Sequence, residues 1–342
     1  MRIIYDLALS DIISLMLEWG EPAYRAHQIW QGLYHQFWNS PEQFTNIPIS
    51  LRNRLAETLE FKVLTLVTTL NSSDGQTVKS LFKLKDGKSI EAVLMRYEKR
   101  NTLCISSQVG CAMGCVFCAT GQMGFKRHLS SGEIVAQVMY YAILLRGETK
   151  VVTNIVVMGM GEPFHNYDNT LAAIDRLNDP DGYNFGARRF TISTVGLVPA
   201  IRRFAAEKRQ INLAISLHSA DDALRTSMLP VNKRYPIDEL LAACREYISI
   251  TGRRITFEWA LINEVNDTPE QAILLVKKIK DMLCHVNAIP LNPTLGYFGQ
   301  ATTRERANNF KEILNGYGIP CTIRLRRGID IQAGCGQLVS EV

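Results

Sequence analysis

The order of elements along this 342-residue chain predicts an α/β protein built on a parallel sheet. Three observations carry that expectation. From about residue 150 onward, short β-branched and apolar runs alternate with helical patterns, the rhythm of parallel strands joined by right-handed crossovers. Before that, a series of strand candidates is punctuated by Asp-Gly turns. Before that again, about sixty residues read as helical. A hydrophobic content of 46% is ample for a packed core.

The elements follow in order. In the helical stretch, Ile29, Leu33 and Phe37 recur at four-residue steps, as do Trp30, Tyr34 and Trp38. Two adjacent apolar stripes make a wide buried face, so these aromatics read as core rather than as a base-stacking platform. Asn46-Ile-Pro-Ile-Ser50 reads as a turn, with Ser50 capping a helix over Leu51–Leu59. Strands are expected at Phe61–Leu70, Val78–Leu84, Ser89–Arg96 and Thr102–Ser106, with turns at Asp74-Gly75 and Asp86-Gly87, as a small antiparallel extension. The alternating part offers strands at Asn154–Met158, Arg189–Thr194, Asn212–Ser216, Arg254–Ala260, Val286–Pro290 and Cys321–Arg324. Helices are expected between them at Gly132–Leu145, Tyr167–Leu177, Leu197–Ala206, Ile237–Ile250, Pro269–Met282 and Thr303–Leu314. Ligands of such sheets bind at the carboxyl ends of the strands.

Cys111-Ala-Met-Gly-Cys115-Val-Phe-Cys118 is the densest chemical signal. Three thiols spaced by three and then two residues, with no fourth ligand close by, suit a four-iron cluster with one open iron. The segment resembles the signature of the radical S-adenosylmethionine (radical SAM) superfamily. The alternative is a structural zinc knuckle with a distant fourth ligand such as His128. Gly159-Met-Gly-Glu-Pro163 follows a strand, where glycines admit a ligand close to the backbone and Glu162 can accept from an ammonium group. It resembles the superfamily's SAM-binding segment. Ser193, the Ser216-Leu217-His218 run and Asn292 fall at later strand ends, where their polar groups can meet a ribose, a carboxylate or an adenine edge. Singly, each is more often a strand-end cap.

Charge and cysteine use set the remaining bounds. The net charge of +5 is mildly basic. Gly186 to Arg209 holds six basic residues against Glu207, and Arg324, Arg326 and Arg327 form a second group. Phosphate contacts are one account of both, and solvated helix ends the other. No apolar run reaches membrane-spanning length. Eight clustered cysteines in a long chain point to a reducing cytoplasm rather than a disulfide framework. Cys335, between two glycines, reads as a thiol on a mobile loop, and Cys104 as a thiol before the cluster motif. Cys244, Cys284 and Cys321 read as inert. Glu91 sits in an apolar strand, and pattern alone gives a solvated, outward residue.

Taken together, these segments resemble the radical SAM 23S ribosomal RNA adenine methyltransferases (the RlmN/Cfr family), nearest the carbon-2 branch. The matching stretches are Thr102–Cys111, the three cluster cysteines, Gly159–Pro163, Ser216–His218 and Arg327–Leu338, with Tyr24–Trp30 like the family's accessory domain. The resemblance implies a partial (β/α)6 radical SAM barrel with a small helical N-terminal accessory domain and a short β extension. The expected units are residues 1–75, RNA-contacting; 76–320, the radical SAM core; and 321–342, a C-terminal strand and cysteine loop. It implies that Cys111, Cys115 and Cys118 hold a [4Fe–4S] cluster, and that Gly161, Glu162, Ser193, Ser216, Leu217, His218 and Asn292 contact SAM, used twice per turnover. Cys335 would become S-methylcysteine, Cys104 would resolve the adduct through a transient disulfide, and Glu91 would accept the ring proton. The implied activity is carbon-2 methylation of an adenosine in the peptidyl transferase centre of 23S rRNA, and of tRNA, by a cytoplasmic monomer served by an electron donor. Carbon-8 methylation, conferring antibiotic resistance, is the alternative within the family. A non-catalytic zinc-knuckle RNA-binding protein is the alternative outside it. Gly334 departs from the alanine expected there and would loosen the Cys335 loop.

Overall fold

The computed structural model describes residues 1–339, so the last three residues of the expected C-terminal unit lie outside the described residues. Three helices open the chain: α1 (Leu9–Glu18), α2 (Tyr24–Tyr34) and α3 (Ile49–Thr58). On α2 the aromatics are core, as the two stripes imply: Trp30 and Tyr34 are buried with ring centroids 4.5 Å apart. Ser50 is not the cap of the next helix. The chain enters α3 directly from Pro48, and Ser50 lies inside its first turn. A two-residue parallel pair, β1 (Arg2–Ile3) with β2 (Leu59–Glu60), ties the two ends of this helical part together. Strands so short carry no readable period.

The Asp-Gly turns separate β3 (Thr65–Asn71), β4 (Thr77–Lys83) and β5 (Ser89–Tyr97), and β6 (Arg100–Cys104) completes an antiparallel meander. The extension does not stand apart from the core. Strand β6 pairs in parallel with β9 (Asn154–Val157), so one sheet runs through both. Beyond β9 lie β10 (Phe190–Thr194), β11 (Asn212–Ser216), β12 (Ile255–Leu261), β13 (Cys284–Pro290) and β14 (Cys321–Ile323), all parallel. The order is β14-β13-β12-β11-β10-β9-β6-β5-β4-β3, an open sheet with β14 and β3 as its edges. The parallel series therefore begins at β6, one strand earlier than the alternation suggests.

A small hairpin, β7 (Gln108–Gly110) with β8 (Phe125–His128), brackets the cysteine motif and the short α4 (Ala119–Gln122). The crossover helices are α5 (Ser131–Gly147), α6 (Tyr167–Asn178), α7 (Val198–Ala206), α8 (Asp222–Met228), α9 (Ile237–Thr251), α10 (Pro269–Ile279) and α11 (Arg304–Gly316). Helix α5 begins at a capping box in which Ser130 and Glu133 satisfy each other's backbone N–H. The main core runs without a break from Ile4 and Trp30 through the sheet to Leu338. Asp6 reinforces the join, accepting from Gly132 N at 2.6 Å and from the Ser131 hydroxyl.

Candidate active site

The hairpin and α8 pin the cysteine loop from two sides. Cys111 N donates to Gly124 O at 3.1 Å and Val116 N to Met228 O at 3.0 Å. Cys111, Cys115 and Cys118 then line one cavity of about 170 Å³ at the carboxyl ends of the parallel strands. Burial pushes the Cys111 thiol up to about 12 and the other two upward, and for Cys115 the neighbouring Cys118 and Cys111 add to the effect. Three such thiols become thiolates only if a cation compensates them. Among the described residues no three His, Cys, Asp or Glu side chains converge on a point that would hold a single metal ion. Three thiols on the wall of one cavity suit an iron–sulfur group held at three points. His128 offers no fourth zinc ligand: it sits 3.0 Å from Gln108, packs on Phe125 and His165, and does not line the cavity.

Strand ends complete the cavity. Gly161, Glu162, Ser193, Ser216, His218 and Asn292 line it, as does Cys335. Gly161 has φ +105°, and a Cβ there would lie 2.8 Å from Gln108 N, so glycine alone lets the loops approach. Gln108 Oε1 in turn accepts from Glu162 N at 2.8 Å. The Glu162 carboxylate accepts from Val195 N and Phe164 N, while burial pushes it up to about 7. The two serine hydroxyls lie 3.4 Å apart. His218 Nδ1 accepts from Ala260 N at 2.9 Å, and burial holds the ring neutral, down to about 3. Asn292 donates from Nδ2 to Cys335 O at 3.1 Å, but its buried Oδ1 has no partner. That orphaned acceptor calls for a ligand donor. Leu217 is different: its side chain is buried away from the cavity, and its N–H and C=O engage Glu258 and Arg225.

A second, smaller cavity of about 50 Å³ adjoins the first, and Cys335 lines both. Cys104 lines the second with Met95, Tyr97 and Arg324. Burial drives the Cys104 thiol up to about 12, and Cys335 adds to this. Cys335 is exposed, so desolvation can raise its thiol only modestly, and the Arg324 guanidinium pulls against that rise. A Cβ at Gly334 would sit 2.6 Å from Asn292 Nδ2, so glycine allows the Asn292 bond to the Cys335 carbonyl.

Glu91 is not solvated as its strand pattern implies. It is buried, pairs with Lys79 at 3.0 Å, and accepts from Val339 N at 2.9 Å. Burial raises its carboxyl, with Lys79 opposing. It lines neither cavity. Three residues with consequences for the site escaped sequence reasoning: Lys79, Arg225 and Glu258. Glu258 lines the main cavity, and burial pushes it up to about 7. The available signal was a lone acid inside an apolar strand. Half of the basic run between Gly186 and Arg209 is paired with acids, Arg202 with Glu246, Arg203 with Asp168, and Arg209 with Asp175 and Glu207. Arg326 and Arg327 instead line the second cavity.

Two family models match the chain: the radical SAM superfamily over residues 105–276, and the ribosomal RNA large subunit methyltransferase N-terminal domain over residues 4–61. A protein from Chloroflexus aurantiacus named as a probable dual-specificity RNA methyltransferase RlmN is 50% identical, over 99% of this chain and 93% of its own length. Dual-specificity RNA methyltransferase RlmN 1 of Myxococcus xanthus is 48% identical, over 99% and 94%. The crystal structure of a radical SAM methyltransferase from Sphaerobacter thermophilus superposes with a TM-score of 0.98 at 49% identity, covering both chains fully.

Proposed function

The chain belongs to the radical SAM superfamily and, within it, to the RlmN family, and from that premise we propose that it methylates carbon 2 of an adenosine in 23S rRNA and in tRNA. One observation carries the reading: Cys335 lines both the cavity of the three clustered thiols and the cavity of Cys104. A carbon of an electron-poor purine ring is no nucleophile, so the methyl group needs a carrier that can be activated. A thiol standing between a radical-generating cavity and a second thiol is such a carrier.

The family uses a [4Fe–4S] cluster and SAM, two per turnover. When bound, the cluster supplies the electron that cleaves SAM. Cys111, Cys115 and Cys118 are the residues to hold it. Glu162 meets the amino group of SAM, the serine hydroxyls and neutral His218 meet its remaining polar edges, and Asn292 Oδ1 accepts from it. Leu217 contributes by fixing the backbone beside them rather than by touching the ligand. Cys335 carries the methyl group, Glu91 takes the proton that leaves the ring carbon, and Cys104 attacks the Cys335 sulfur to free the product. Residues 1–75, helical up to Thr58 before β3 joins the main sheet, contact RNA, residues 76–320 form the radical SAM core, and 321–342 present the carrier. The enzyme acts as a cytoplasmic monomer reduced by a separate electron donor.

The test is mass spectrometry of nucleosides from RNA treated with anaerobically reconstituted protein. 2-Methyladenosine is expected. 8-Methyladenosine would move the protein to the other branch of the chemistry. Bound zinc without an iron–sulfur absorption band would remove the radical mechanism altogether.

A further inference from the structure

The register of the β extension sets three chemically active side chains on one face. Lys79 on β4 lies opposite Val93 on β5, and Val93 lies opposite Cys104 on β6. Glu91 is two residues from Val93, so it points to that same face. Lys79 and Glu91 are both nearly sealed, at 7% and 5% side-chain exposure, with Nζ 3.0 Å from Oε1. Lys79 has a second partner: it donates to Gln332 O at 3.3 Å, three residues before Cys335. Gln332 has φ +52°, a left-handed conformation that costs a non-glycine residue about 1 kcal/mol. The segment thus accepts strain where its carbonyl meets Lys79.

We propose that Lys79 is a positioning residue that holds the Glu91 carboxylate ionised and aimed, and that registers it against the segment carrying Cys335. This rests on the proton-acceptor role given to Glu91 above. A buried ion pair is a poor device for stability alone, since two desolvated charges recover little beyond their own cost. What Lys79 adds is placement: one ammonium fixes both the group that must receive a proton and the backbone that delivers the carbon. In the step it serves, the ring C–H bond breaks, its proton goes to Glu91, and its electron pair returns to the ring. Burial alone would raise the Glu91 carboxyl, and Lys79 is the charged side chain that opposes this. The other partner is the neutral Val339 N–H, and Cys104 across the sheet is coupled to Cys335 and Arg324 instead.

The experiment compares Lys79→Met, Lys79→Gln, Lys79→Arg and Glu91→Gln in the reconstituted enzyme. Cys335 methylation is read by intact-protein mass, and RNA methylation is read across pH. Lys79→Met is expected to lose about 100-fold in RNA methylation near neutrality, the scale of one general base, and to slow Cys335 methylation by far less. Its acid limb should shift to higher pH, so activity recovers partly in alkali. Lys79→Gln, the variant to rely on if Met prevents folding, should behave alike, and Lys79→Arg should restore the wild-type profile. Glu91→Gln should be inactive at every pH. If Glu91→Gln turns over normally, the acceptor role itself falls. If Glu91→Gln is dead while both neutral Lys79 variants keep the wild-type profile, or lose Cys335 methylation equally, the role of Lys79 alone is overturned.

Discussion

At the scale of single residues, the site divides into groups that titrate and groups that cannot. Replacing Cys335 by alanine should abolish methyl transfer to RNA, whereas Cys104→Ala should leave a covalent protein–RNA adduct, visible on a denaturing gel. Full turnover by either variant would contradict their assignment. Glu258 gives a prediction about stability. Its ordinary carboxyl value of 4.5 is raised by burial to about 7, so the folded protein holds a proton that the unfolded chain has released. Stability therefore falls as pH rises between those values and levels off above them, by at most about 3 kcal/mol. Glu258→Gln should remove its share of that slope in urea titrations of the cluster-free protein, leaving the share of Glu162, which burial raises over the same range. The thiol positions and Glu162 were legible because spacing and strand-end placement mark them. The burial of Glu91 was not, because a period-two pattern says which side of a strand a residue takes, not what later packs there. Here Val339 and Lys79 cover it, from 248 and 12 residues away.

At the scale of elements, strand–helix alternation is written in local hydrophobic rhythm, and most crossovers fall where that rhythm puts them. The loops between them are held by partners that no local rhythm reveals. Arg225 on α8 is fully buried and donates to Val195 O, Ser216 O, Leu217 O and Asn232 Oδ1. It therefore closes the loops after β10 and β11 around one guanidinium, and burial lowers it to about 10. Removing it would orphan these acceptors, so Arg225→Met is expected to cost about 3–5 kcal/mol in urea unfolding. Arg225→Lys should not rescue, since a point charge cannot span the same fork. Helix α8 itself escaped sequence reading because its seven residues barely complete two turns. The β7–β8 hairpin escaped because its pairing reaches across the intervening cysteine loop.

At the scale of the whole molecule, charge is sorted by position rather than by sum. The arginines of α7 and its flank meet acids of α6 and α9, while Arg326 and Arg327 remain beside the cavity that Cys335 shares. Neutralising Arg202 and Arg203 should leave RNA affinity unchanged. Neutralising Arg326 or Arg327 should reduce the salt slope of binding by about one per charge. Filter binding over a range of potassium chloride concentrations distinguishes the two pairs. The sequence could show both basic groups but not this sorting, which depends on helices brought together by the sheet. The C-terminal segment gathers the molecule in the same way. It meets the extension through Asp330 with Ser73 N and through Lys79, and it meets the cysteine loop through Gly336 O with Ala119 N and Leu338 O with Thr120. A ribosome makes that segment after every strand it fastens. Until translation has passed residue 335, a nascent chain lacks the thiol proposed to carry the methyl group. A chain cut short there would also lose the contacts by which this segment fastens Thr120 and covers Glu91.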